Sequence, residues 1–166
     1  VSSRRQRQMC IRDSSISVHF SEIFETLFPG GKGSLSFTDK TNILETGIEI
    51  SVQPRGKKVK KLSLLSGGER SLAAIAFLFS IFKSFPSPFY ILDEVEAALD
   101  DANLHRMINL LDKIKEDAQY IIVTHQQQTM HAGDVLYGVT MEPGSGSRVF
   151  TKTKEDFESL IGTNEK

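Results

Sequence analysis

The chain has 166 residues, 39% hydrophobic and 25% charged, enough for one globular domain with its own core and no more. Its 20 Lys and Arg nearly cancel 21 Asp and Glu, and the net charge of −1 excludes a uniformly basic nucleic-acid coat while leaving room for a local patch. The single cysteine, Cys10, excludes an internal disulfide framework and a cysteine-rich zinc site, and fits a reducing, cytoplasmic setting. The longest apolar run, Leu72 to Phe82 with Ser80 inside it, is too short to span a bilayer. The Arg-rich start lacks the apolar core of a secretory signal.

Residues 1–14 hold Arg4, Arg5, Arg7, Arg12 and Cys10 with no clean period, and read as a disordered or non-native leader. The alternative is a basic arm that touches nucleic acid. Arg4 to Ser14 also looks like translated sequencing-adapter sequence, in which case interpretation starts near Ser15 and the true chain extends upstream. From Val18 to Phe28, Phe20, Ile23, Phe24, Leu27 and Phe28 keep helical spacing, and Pro29-Gly30-Gly31 ends it. Ser34 to Phe37 and Ile48 to Val52 read as two short strands of a meander with one buried face. Pro54 to Lys61 reads as a loop carrying Arg55, Lys57, Lys58, Lys60 and Lys61.

A helix is expected from about Gly68 to Ser84, apolar on most sides and therefore a core helix. A turn at Pro86-Ser87-Pro88 leads into a strand, Phe89 to Leu92, expected to be buried on both faces. A helix over roughly Asp100 to Glu116 and a second buried strand, Tyr120 to Thr124, complete a strand–helix–strand unit, which argues for parallel strands. The tail offers strands at Val135 to Met141 and Arg148 to Thr151, a turn at Pro143 to Ser147, and a terminal helix near Glu155 to Ile161.

The chemistry concentrates at three places. Asp93 and Glu94 follow the strand Phe89 to Leu92 at its C-terminal end, where open α/β sheets bind ligands. In nucleotide hydrolysis the first carboxylate can hold Mg²⁺ and the second can orient the attacking water, the pattern of a Walker B motif. Two solvated acids at a strand end is the bland alternative. Leu65-Ser66-Gly67-Gly68-Glu69-Arg70 opens the long helix, and its glycines and free N–H groups suit a γ-phosphate. Here the alternative is an ordinary helix cap with Ser66 as the capping residue. His125, just past the strand Ile121 to Thr124, can sense a phosphate or be a plain loop histidine.

In this order the three elements resemble the signature motif, Walker B, D-loop and switch histidine of ATP-binding-cassette (ABC) ATPases. More narrowly, Leu64 to Leu72, Pro88 to Asn103, Val123-Thr124-His125, Leu136 to Met141, Phe28 to Gly31 and Gly47 to Ile50 resemble the C-terminal head segment of bacterial and archaeal structural maintenance of chromosomes (SMC) proteins. The resemblance covers about Phe20 to Thr151. It implies an α/β, ABC-ATPase-like (P-loop NTPase) half-domain: a mostly parallel sheet flanked by helices, with a small antiparallel strand pair near the start. Residues 15–28 would be the end of a returning coiled coil and residues 29–166 the C-terminal lobe of the head.

The resemblance further implies ATP and Mg²⁺ as cofactors. Asp93 would serve the metal and Glu94 the water. Ser66, Gly67 and Gly68, with Glu69 of the same motif, would meet a nucleotide held by an opposing head. Asp100 would lie at the head–head interface, and His125 would contact the γ-phosphate in cis. Glu96 stands where many relatives carry Asp, a mild exchange because the charge is kept. The implied partners are the N-terminal head segment, a second SMC head, a kleisin-type subunit near Asp156 to Ile161, and DNA, with Arg55, Lys57, Lys58, Lys60 and Lys61 as candidate contacts. The implied role is ATP-driven chromosome organisation in a nucleoid-associated protein of the cytoplasm.

No stretch fits the P-loop pattern Gly-x4-Gly-Lys-Ser/Thr. Gly30-Gly31-Lys32-Gly33-Ser34 comes near, but Gly33 separates Lys32 from Ser34, so it reads as a turn. The isolated chain is therefore expected to be inactive, with hydrolysis only when the N-terminal head segment supplies the P-loop. Two other readings stay open: a related coiled-coil ABC ATPase of DNA double-strand-break repair, and an inert fragment acting as an interaction module.

Overall fold

The structure, a computed structural model, describes residues 2–39, 46–53, 55–56, 60–141, 144 and 146–156; for residues 2–14 and 60 it describes the backbone alone. The chain divides into two units, residues 1–123 and residues 124–166.

The first unit opens with helix α1, Ser2–Leu27. Phe20, Ile23, Phe24, Leu27 and Phe28 are all buried, as their spacing predicts. The backbone is helical back to Ser2, through the segment read as a disordered or non-native leader. Once a helix is nucleated, each added residue gains a hydrogen bond, and Arg, Gln and Met are good helix formers without any apolar period.

Strands β1 (Lys32–Phe37), β2 (Ile48–Gln53) and β3 (Lys60–Lys61) form an antiparallel sheet in that order. The expected pair is thus three-stranded, and the end of the basic loop is strand. Gly31 N–H donates to Phe28 O at 2.7 Å, closing the turn expected at Pro29–Gly31. Gly33 lets β1 lie against α1: a Cβ there would fall 2.6 Å from Phe24 Cγ.

Helix α2 (Gly67–Ser84) follows a short 3₁₀ turn, Leu62–Leu64, and buries Leu72, Ala73, Ile75, Ala76, Phe79 and Ser80. It packs on α1 through Phe20 against Phe77, with His19 Nδ1 2.9 Å from Ser84 Oγ and Lys83 Nζ donating to Glu22 at 2.8 Å. Strands β4 (Phe89–Asp93) and β5 (Gln119–Val123) pair in parallel, joined by helix α3 (Asp101–Ile114) as the crossover. One face of this pair lies under α2: Tyr90 stacks on Phe82 and on Tyr120, and Tyr120 meets Phe79. The Tyr90 hydroxyl accepts from Ser87 N–H and donates to the Phe82 and Phe85 carbonyls, tying the start of β4 to the end of α2. Burial there pushes the Tyr120 phenol up to about 12.

The opposite face is open. Phe89 is 52% exposed, Ile91 64%, Ile121 45% and Val123 51%. The expectation that both strands are buried on both faces is therefore corrected. A continuous apolar run reads as doubly covered, but this unit supplies cover on one side only. The expectation of a mostly parallel sheet is corrected too, since β4–β5 is the one parallel pair among the described strands.

The second unit holds helix α4 (Gln127–Ala132), which the sequence reading did not anticipate, and the antiparallel hairpin β6 (Val135–Met141) and β7 (Ser147–Thr153). The expected tail strands are present. Of the expected terminal helix near Glu155 to Ile161, only residues 155–156 are described, and they are helical. No helix among the described residues is long and apolar enough to cross a membrane.

Candidate functional site

The site begins where α2 begins. Ser66 is the N-cap and forms a capping box: its Oγ accepts from Glu69 N–H at 3.4 Å, and Glu69 Oε2 accepts from Ser66 N–H at 3.3 Å and from Ser66 Oγ–H at 3.1 Å. The ordinary helix-cap reading of Ser66 is thus present as geometry. It leaves Gly67 open, with no heavy atom within 4 Å of where a Cβ would stand. A phosphate-sized anion can approach that backbone, at the positive end of an 18-residue helix. Ser66 Oγ–H would have to turn from Glu69 toward the anion to join in.

Gly68 faces inward. A Cβ there would stand 3.0 Å from Asn103 Nδ2 and 3.3 Å from Asp100 Oδ2. Its missing side chain is what lets the first turn of α2 meet the first turn of α3. Asp100 caps α3, accepting from Asn103 N–H at 2.8 Å. Ser66, Gly67, Gly68, Glu69 and Asp100 are therefore brought into one region by two capped helix starts.

Asp93 and Glu94 stand exposed at the end of β4. Glu94 has φ +45°, the one non-glycine residue at positive φ among those described. Its N–H still donates to Val123 O at 3.0 Å, so the chain turns sharply while held to β5. The turn continues through Ala97 N–H to Glu94 O and Leu99 N–H to Glu96 O. Left-handed geometry costs a bulky residue on the order of 1 kcal/mol, and such strain gathers at functional positions.

Among the described residues no group of three or more His, Cys, Asp or Glu forms a metal site by itself. Asp93 as a lone carboxylate fits Mg²⁺, which is usually held by one or two carboxylates together with water and substrate phosphates. His125 lies in the second unit, exposed, with its Nε2 3.4 Å from Gln126 Nε2.

Of the basic residues, Lys61 is paired with Glu49 at 2.7 Å, and that hydrogen bond raises its pKa above the ordinary value. The Arg55 stem lies over Gly30. Lys57 and Lys58 lie outside the described residues, as does the side chain of Lys60.

Two residues inside the recognised motif stretch do more than the motif assigns them. Glu96 is 2% exposed, so its shape matters as well as its charge. Asn103 is buried behind Asp100; an Asn three residues after a capping Asp is the signal that could have marked it.

The chain matches the model of a family described as "RecF/RecN/SMC N terminal domain" over residues 6–148, starting within the segment read as a leader. It is 55% identical over 129 residues to the Chromosome partition protein Smc of Mycolicibacterium paratuberculosis, covering 78% of this chain and 11% of that protein. The chain thus spans about a tenth of that relative. A solved chain described as "Structural biochemistry of ATP-driven dimerization and DNA stimulated activation of SMC ATPases" superposes with a TM-score of 0.82 at 36% identity, covering 96% of this chain and 97% of that one. A second, described as "Crystal structure of the SmcHead bound to the C-winged helix domain of ScpA", gives 0.83 at 37% identity, covering 92% of this chain and 47% of that one. The chain belongs to the RecF/RecN/SMC N-terminal-domain family and has the α/β fold of an SMC ATPase head.

Proposed function

We propose that this chain is the C-terminal segment of an SMC-type ATPase head, acting in chromosome partitioning once the P-loop-bearing segment completes it. The observation that carries the reading is the junction at Gly68, where an open glycine turn on α2 meets the capping Asp100 of α3. That junction sets the open Gly67 backbone beside the capping carboxylate of Asp100 on one surface, an arrangement that suits two heads closing over nucleotide. The uncovered apolar face of β4–β5 supports the half-domain reading, because parallel sheets are normally covered on both sides. Residues 15–28 would belong to the coiled-coil end, and residues 29–166 to the lobe.

Mg²⁺, when bound, would polarise the nucleotide's phosphates. Asp93 would hold it. Glu94 would orient water and take up its proton, aimed by the left-handed turn. The N–H groups of Gly67 and Gly68 would bind an oxyanion presented by the opposing head, with the Ser66 hydroxyl released from Glu69. His125 would contact the γ-phosphate of the nucleotide held by its own head, in cis. A second head, a ScpA-like kleisin and DNA are the proposed partners. The relatives' names favour this reading over a repair ATPase.

Co-expression with the P-loop segment tests it. The assembled head is expected to hydrolyse ATP. Glu94→Gln is expected to cut turnover by about a hundredfold or more while accumulating ATP-bound head dimers on size exclusion. Turnover that survives the change would remove Glu94 from its role. The chain by itself is expected to bind ATP weakly, and tight binding by it alone would overturn the half-domain reading.

A further inference from the structure

Asn103 does more than a cap requires. Its backbone N–H already satisfies Asp100 Oδ1 at 2.8 Å, which completes the cap of α3. Its side chain adds a second link, with Nδ2 donating to Asp100 Oδ2 at 3.2 Å. The other end of the amide is used too: Oδ1 accepts from Arg106 Nη1 at 3.2 Å. One residue therefore holds both oxygens of Asp100 and is itself anchored one turn further along α3. Asn103 itself is 6% exposed, so its amide makes these bonds from a buried position. The same Nδ2 stands 3.0 Å from where a Gly68 Cβ would be, so the amide lies against the first turn of α2.

A carboxylate capped through one oxygen can still rotate about its terminal torsion, which is broad and soft. Held at both oxygens, Asp100 has one orientation, with Oδ2 toward Gly68. We propose that Asn103 is a positioning residue that locks the Asp100 carboxylate against the Ser66-Gly67-Gly68 turn, so that the two loops meet an opposing head as one rigid surface. The inference rests on the head–head reading above. It concerns engagement only, because the Asn103 side chain reaches the capping carboxylate and the α2 turn rather than Asp93 or Glu94. The P-loop site of its own head should not feel its loss.

The test uses the head assembled by co-expression with the P-loop segment, in two variants. Asn103→Leu keeps the bulk and removes both side-chain bonds. Asn103→Asp keeps the acceptor for Arg106, removes the donor and sets like charge beside Asp100. Nucleotide affinity of single heads is read with a fluorescent ATP analogue, and head dimerisation is read by sizing in the Glu94→Gln background.

Both variants are expected to weaken ATP-dependent dimerisation by about tenfold and to lower kcat similarly. Single-head nucleotide affinity should stay within about twofold. Unchanged dimerisation in either folded variant overturns the inference while leaving the head reading intact. A parallel loss of single-head affinity overturns it as well, since that marks a general structural role. Failure of the unmodified pair to dimerise with ATP overturns the head reading and the inference with it.

Discussion

Glu94 shows how much a single residue can carry that its sequence does not display. Its motif was legible, because four apolar residues followed by Asp93 and Glu94 is a recognisable pattern. Its backbone was not, since nothing in a Glu announces φ +45°. Asn tolerates this conformation better than Glu. Glu94→Asn is therefore expected to leave the chain as stable or to stabilise it by about 0.5 kcal/mol, while abolishing hydrolysis in the assembled head. Chemical denaturation checks the first part and a phosphate-release assay the second. Asn103 lay within the recognised stretch, but its contact did not show there, for a different reason. Its importance comes from Gly68 approaching across space, thirty-five positions earlier in the chain.

At the scale of elements, period and punctuation were enough to find most of what forms. The apolar spacing of Phe20 to Phe28 placed the buried stripe of α1, alternation placed β2, and short strand-like runs placed β1 and β6. What failed was cover. The run Phe89 to Leu92 looks doubly buried in sequence because an unbroken apolar run is the pattern of a strand covered on both faces, yet Phe89 and Ile91 are exposed. The α1–α2 contact also yields a pH prediction. The Lys83 ammonium, through its hydrogen bond and its charge, holds the Glu22 carboxyl below its ordinary 4.5. A lowered folded pKa contributes stability that is complete above that ordinary value and is lost as pH falls through the lowered one. Both side chains are about half exposed, at 51% and 54%, so solvent screens the pair to about 0.5 kcal/mol. Thermal melts are expected to lose this increment below about pH 4.5, and Glu22→Gln should show no such loss over the same window.

For the whole molecule, the sequence holds no stretch that fits the P-loop pattern, and the structure leaves one face of its parallel strand pair exposed. Phe89, Ile91, Ile121 and Val123 form one bare stripe on β4–β5. Ile91→Thr with Ile121→Thr is expected to raise the solubility of the isolated chain and lower its binding of a hydrophobic dye. The same pair should weaken assembly with the P-loop segment by about tenfold or more, given about 1 kcal/mol or more for each buried side chain so altered. Dye fluorescence during titration with that segment measures both. Equal assembly of the double variant would show that another surface receives the segment.

The bare stripe also sets the order of the folding reaction. If its cover arrives on a separate polypeptide, burial is a two-body event. Its rate then falls in proportion to dilution, and self-association competes for the same residues. If the cover is tethered to this chain, however long the connection, the local concentration is set by the tether and the rate no longer depends on protein concentration. The same sheet would thus fold with second-order kinetics as two pieces and first-order kinetics as one.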